Sequence, residues 1–90
     1  MFKNLEELIK TIRERKNSSP ERSYTNKLLN DENLSESKVK EEIGELFKAV
    51  EENSNKIHEA TDVIYHLMVY LESNNIKIED VMEELKKRQK

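Results

Sequence analysis

Four carboxylates stand out for their spacing: Glu42 with Glu45, and Glu59 with Asp62. Residues three apart on a helix project from one side, so each pair can present two carboxylates to one cation. Thirteen residues separate the pairs, and the second leads directly into Val63 to Leu71, a segment whose only markedly polar side chain is His66. A lone carboxylate beside a segment that must be buried is costly. Four carboxylates from two facing helices repel one another unless a divalent cation compensates them, and hard oxygen ligands select magnesium or manganese. The tetrapeptide spacing alone carries little, because a chain with 19 acidic residues contains such matches by chance. The signal is the combination of two pairs with the apolar segment.

The neighbours of these pairs carry weaker readings. Glu41 is an additional ligand or orienting group, or equally a solvated glutamate, since its angle opposes the apolar stripe of its helix. His66 lies one turn after Asp62, within reach of that carboxylate as a group that supports a ligand. A core or interface histidine with a satisfied ring fits the same position better than direct ligation does. Tyr65 and Tyr70 read as packing residues.

Helices must position these groups. Phe2, Leu5, Leu8, Ile9 and Ile12 recur at three- and four-residue steps, which predicts a first helix to about Lys16. Asn17 to Glu21, with two serines and the only proline, breaks that period as a loop. Ser23 to Leu29 reads as one or two helical turns, and Asn30 to Glu36 as a polar connection with cap candidates Asp31 and Ser35. A second long helix carries Val39, Ile43, Leu46, Phe47 and Val50 on one stripe and ends near Asn53 to Asn55. The third, about Lys56 to Ser73, is apolar nearly all round and so needs neighbours on several sides. Asn74-Asn75 ends it, and Ile78, Val81, Met82 and Leu85 mark a last helix. Its basic tail, Lys86 to Lys90, suits a helix C-terminus. The fold class expected is all-α: four to five helices in a bundle completed by dimerisation, with the third helix as both core and subunit interface.

Composition supports one domain over residues 1–90. A chain of this length buries only about 60–65% of the surface it exposes when unfolded, and no cysteine or Cys/His cluster is present to staple it. Association is therefore expected. Charged residues make up 39% of the chain with a net charge of only -3, so no basic stripe offers itself to nucleic acid. The longest apolar run is too short to cross a bilayer, and no export signal is visible, so a cytoplasmic protein without a membrane partner is expected.

Taken together, the chain resembles phosphoribosyl-ATP pyrophosphohydrolase of histidine biosynthesis, within the MazG-like all-α nucleotide pyrophosphohydrolases. Nearly the whole chain takes part, through Arg15-Lys16, Ser23-Tyr24-Thr25-Asn26-Lys27-Leu28, Lys38-Val39-Lys40-Glu41-Glu42-Ile43-Gly44-Glu45, and Glu59-Ala60-Thr61-Asp62-Val63-Ile64-Tyr65-His66. The acidic motifs imply metal-dependent cleavage between α and β phosphates. The Ser-Tyr-Thr segment and Tyr65-His66 resemble the histidine-pathway branch, which makes phosphoribosyl-ATP the implied substrate and phosphoribosyl-AMP and pyrophosphate the products. One departure is Lys40, where the family usually has glycine before its paired glutamates; Gly44 stands inside the motif instead.

On this resemblance, magnesium, with manganese as the other candidate, is held by Glu42, Glu45, Glu59 and Asp62. It positions a water whose proton passes to a carboxylate, Glu41 or Glu45. Arg15, Lys27, Lys38 and Lys40 are candidates to meet phosphate charge, Ser23 and Thr25 to donate from hydroxyls, and Tyr24 to stack on a base or fill the bend. Two rival readings stand beside this one. The first is a house-cleaning nucleoside triphosphate pyrophosphohydrolase of the same superfamily. The second is a non-catalytic helical dimerisation module.

Overall fold

In the computed structural model, residues 2–89 are described, and they form five α-helices. α1 spans Lys3–Glu14 and tightens into a 3-10 turn at Arg15–Asn17. After the proline loop, Ser23 in extended conformation caps α2 (Tyr24–Leu29), its hydroxyl oxygen accepting from the Asn26 amide at 3.1 Å. Asp31 caps α3 (Glu32–Glu52) in the same way, accepting from Leu34 N–H at 3.0 Å. α4 spans Lys56–Ser73 and α5 spans Ile78–Arg88. Lys90, the last residue of the basic tail, lies outside the described residues.

The early start of α3 corrects one expectation. Ser35 is not a cap but sits inside the helix, 1% exposed, and its hydroxyl has no hydrogen-bond partner among the described residues. The connection between α2 and α3 is only Asn30 and Asp31.

Asparagine terminates both long helices. Asn53 adopts φ 52°, and the paired bonds Ser54 N–H to Ala49 C=O and Asn53 N–H to Val50 C=O close the end of α3. Asn75, at φ 58°, closes the end of α4 through Ile76 N–H to Leu71 C=O and Asn75 N–H to Glu72 C=O. This left-handed termination usually uses glycine, and asparagine is the residue that tolerates it next best. Asn55 follows with φ 56°, so three residues reverse the chain and fold α4 back along α3.

The core sits where α1, α2 and α4 meet. Ile12, Leu28 and Val69 are fully or nearly fully buried, with Leu8, Leu29, Leu34, Tyr65 and Met68 against them. A charged network ties α1 to α4 and α5: Arg13 of α1 donates to Glu72 of α4 at 3.3 Å and to Glu79 of α5 at 2.7 and 2.9 Å, while Lys16 reaches Glu72 at 2.7 Å. Burial pushes the Glu72 carboxyl up, but its bonds from Lys16 and Arg13 outweigh that and hold it below the usual range.

Much of the α3–α4 hairpin extends beyond this core. Phe47, Val50 and Ile57 are 65%, 59% and 85% exposed, and Ile43, Ile64 and Leu67 are also open to solvent. The chain exposes 7020 Å², against roughly 5,500 Å² for a compact monomer of this mass. Its radius of gyration, 14.2 Å, likewise exceeds the roughly 12 Å of a compact 90-residue domain. Among the described residues, no helix is long and apolar enough to cross a membrane.

Candidate active site

The α3–α4 hairpin carries one acidic pair on each arm. Glu42 is half-buried on α3, and its carboxyl is pushed up mainly by burial. Nearby His66 opposes that rise, whereas the charges of Asp62, Glu41 and Glu59 add to it. The two helices thus place these groups within one another's field. Glu45, one turn further on, shares with Glu59 a polar cleft of about 130 Å³ near the hairpin turn.

Convergence is tightest on α4. Ligand atoms of His58, Glu59 and Asp62 all lie within 4.8 Å of one another, and His58 Nε2 is 3.4 Å from Asp62 Oδ2. Glu42 and Glu45 stand outside that trio, on the facing helix. Glu42, half-buried with its carboxyl raised, forms with the half-buried Glu59 and Asp62 and the exposed Glu45 a donor set suited to a hard divalent cation, whose charge would relieve the repulsion.

A second cluster adjoins it through α2. His66 Nδ1 lies 2.8 Å from the Asp62 carbonyl, which can only accept, so Nδ1 carries the proton. In the neutral ring Nε2 is then an acceptor, and Tyr24 donates its hydroxyl to it at 3.2 Å. The histidine therefore supports the backbone of Asp62 rather than its carboxylate, which corrects the sequence expectation. Tyr24 also stacks on Tyr65 at 6.4 Å, and the Tyr65 hydroxyl bonds Thr25 Oγ1. Tyr65 is thus more than a packing residue. Burial raises the Tyr24 phenol; Lys38 opposes the rise, while Tyr65, Glu42 and Glu41 reinforce it. The Ser23–Thr25 segment and Glu42 are therefore neighbours.

Of the candidate cations, Lys38 pairs with Glu41 at 3.0 Å, three residues on, and not with Glu42. That bond, followed by the charge of Glu41, raises the Lys38 pKa. Lys40 lies 4.0 Å from Glu36. Arg15 and Lys27 are exposed, and no side-chain hydrogen bond or ion pair engages them among the described residues. Gly44 meets nothing within 4 Å of where a Cβ would stand, so within this chain no neighbour requires a glycine there.

Two residues hold places in the structure to which the sequence motifs give no role. His58 is one; a histidine four residues before an aspartate on a predicted helix is the signal that would find it. Asn26 is the other. Only 2% exposed, it donates from Nδ2 to the carbonyls of Arg15 at 2.8 Å and Ser18 at 3.0 Å and accepts from Asn30 Nδ2 at 3.1 Å. It ties α2 to the end of α1 and so holds Ser23, Tyr24 and Thr25 in place.

This geometry can be set beside known proteins. A family model described as phosphoribosyl-ATP pyrophosphohydrolase matches residues 5–89. The chain belongs to that family. A phosphoribosyl-ATP pyrophosphatase of Dechloromonas aromatica is 39% identical over 88 residues, covering 94% of this chain and 82% of the relative. One from Bacillus cereus is 40% identical over 84 residues, covering 90% and 78%. A chloroplastic histidine biosynthesis bifunctional protein of Arabidopsis thaliana is 45% identical over 69 residues, 73% of this chain, which spans only 25% of that longer protein. No solved structure gives a significant match. Within the phosphoribosyl-ATP pyrophosphohydrolase family, the two facing acidic pairs and the Tyr24–His66 link are the features on which a functional reading rests.

Proposed function

We propose that this chain hydrolyses the α–β phosphoanhydride of phosphoribosyl-ATP, releasing phosphoribosyl-AMP and pyrophosphate, as a step of histidine biosynthesis. The observation that carries the reading is family membership across residues 5–89 together with acidic pairs on facing helices. Relatives named for the same substrate support it.

Glu42, Glu45, Glu59 and Asp62 are the residues that would hold magnesium, or manganese in its place. When bound, the ion neutralises charge on the phosphate oxygens and lowers the pKa of water. The rest falls to the side chains. Water adds to phosphorus, the bridging P–O bond breaks, and the proton lost by the water goes to a carboxylate. Glu41 and Glu45 are the two candidates. Lys38 already engages Glu41, whereas Glu45 is exposed along the cleft it shares with Glu59, so we assign the proton to Glu45. Arg15 and Lys27 are unengaged cations for phosphate, and Lys38 becomes a third when it releases Glu41. Ser23 uses an oxygen lone pair for its cap and keeps its O–H to donate. Thr25 and Tyr24 are held by Tyr65 and His66, with part of the Tyr24 ring left open for a base.

The working unit we propose is a homodimer. The excess surface and the exposed Phe47, Val50, Ile57 and Ile64 support it, because a second copy of this hairpin would cover them. Incubating the purified protein and magnesium with phosphoribosyl-ATP and a panel of nucleoside triphosphates tests the substrate. Turnover of phosphoribosyl-ATP is expected; turnover only of the panel would establish the house-cleaning reading instead. Sedimentation at micromolar concentration tests the assembly, and a folded monomer would refute it.

A further inference from the structure

Beside the four carboxylates, the tightest group of potential ligand atoms contains an imidazole. His58 stands on the first turn of α4, beside Glu59 and one turn before Asp62. The i, i+4 spacing of His58 and Asp62, like i, i+3, lets a single helix present two ligands to one ion. Their atoms are 3.4 Å apart, and the Glu59 oxygen completes a set within 4.8 Å. Such a set can surround one ion after small rotamer changes. Apart from that pairing with Asp62, which a shared ion would replace, His58 has no other ion pair or side-chain hydrogen bond among the described residues; its side chain is 72% exposed and lies outside the core.

The other histidine is excluded by its bonding. His66 is buried, with Nδ1 committed to the Asp62 carbonyl and Nε2 to Tyr24. Of the chain's two histidines, only His58 has a nitrogen lone pair to offer.

We propose that His58 is a direct ligand of the divalent ion, joining Glu59 and Asp62, and that it biases the site toward manganese over magnesium. This rests on the metal reading given above. Magnesium favours oxygen donors and keeps its waters, whereas an imidazole nitrogen suits transition ions, which bind mixed N/O sets more tightly. Replacing one oxygen donor by nitrogen therefore changes which ion the same carboxylates select.

Electron spin echo spectroscopy of manganese bound to the full chain is the test, because it detects nitrogen coordinated to the metal without reference to turnover. The wild type is expected to show nitrogen modulation from one imidazole. His58→Gln is expected to lose that modulation, to bind manganese about tenfold or more weakly, and to change its magnesium affinity by less than about threefold. Because His58 is exposed, the variant should keep its circular dichroism and melting profile. Bound manganese without nitrogen modulation in the wild type, or modulation that persists in His58→Gln, would overturn the assignment while leaving the carboxylate site intact. Failure of the parent reading looks different: neither ion binds the wild type, and Glu59→Gln with Asp62→Asn changes nothing. That outcome would overturn both.

Discussion

Asn26→Ala should be the most damaging single truncation outside the acidic pairs and the apolar core. Its side chain makes three well-formed hydrogen bonds while almost wholly buried. At about 1 kcal/mol net for each bond, the loss is roughly 3 kcal/mol. The penalty is uneven. The Arg15 carbonyl keeps a bond from Ser18 N–H at 3.0 Å, so most of the uncompensated desolvation falls on the Ser18 carbonyl. A range of about 2–4 kcal/mol follows, on the order of 10–20 °C in melting temperature for a domain of this size. Asn26→Asp separates this account from simple loss of volume. It keeps the shape but turns a buried carboxylate with no donor toward two carbonyls, and should be worse than alanine. Urea unfolding followed by circular dichroism, at fixed protomer concentration because association couples to stability, measures both variants. A cost below about 1 kcal/mol for alanine, or aspartate milder than alanine, would refute the reasoning.

Other substitutions probe other parts of the fold. Ser35→Ala removes a buried hydroxyl that has no partner and should stabilise the protein by about 0.5–1.5 kcal/mol in the same urea assay. Glu72→Gln should cost about 1–3 kcal/mol at neutral pH through its weakened bonds to Arg13 and Lys16. It should also flatten the acid limb of stability. Glu72 is held below its unfolded value of 4.5, and Arg13 takes Glu79 from 4.5 to about 2, so their contribution is complete above pH 4.5 and is lost as pH falls toward 2. A pH series of urea midpoints for wild type and variant reads the difference. Glu42 has the opposite sign: its carboxyl is raised, so the metal-free fold loses stability as pH climbs above 4.5. Glu42→Gln should therefore melt higher without metal at pH 7 while losing at least about 100-fold in magnesium-dependent turnover.

The long helices were legible because their periodicity is strong and their ends are marked by asparagine. α4 begins at Lys56 and ends at Ser73, where the sequence places it. The start of α3 was not, because Asp31 and Ser35 are equally good caps by type. The choice between them is tertiary: starting at Asp31 adds a turn that sets Leu34 against the core. The acidic pairs were legible from spacing combined with the apolar segment that follows them. The partners of His66 were not, since a carbonyl one turn back and a tyrosine 42 residues away leave no local pattern. Asn26 was hidden for the same reason, and His58 because attention to paired carboxylates passes over a single imidazole beside them.

The three-residue reversal at Asn53, Ser54 and Asn55 makes sequence length an angular quantity. Inserting one residue on the α4 side would turn Glu59 and Asp62 by about 100° away from Glu42 and Glu45. Insertions that keep the faces aligned must add about one whole turn to each arm, close to seven residues together and about 5 Å of hairpin. The thirteen residues between Glu45 and Glu59 therefore fix the angle between the two acidic faces as well as the reach of the turn. A hairpin lengthened by one turn on each arm would push the asparagine tip further from an unchanged centre.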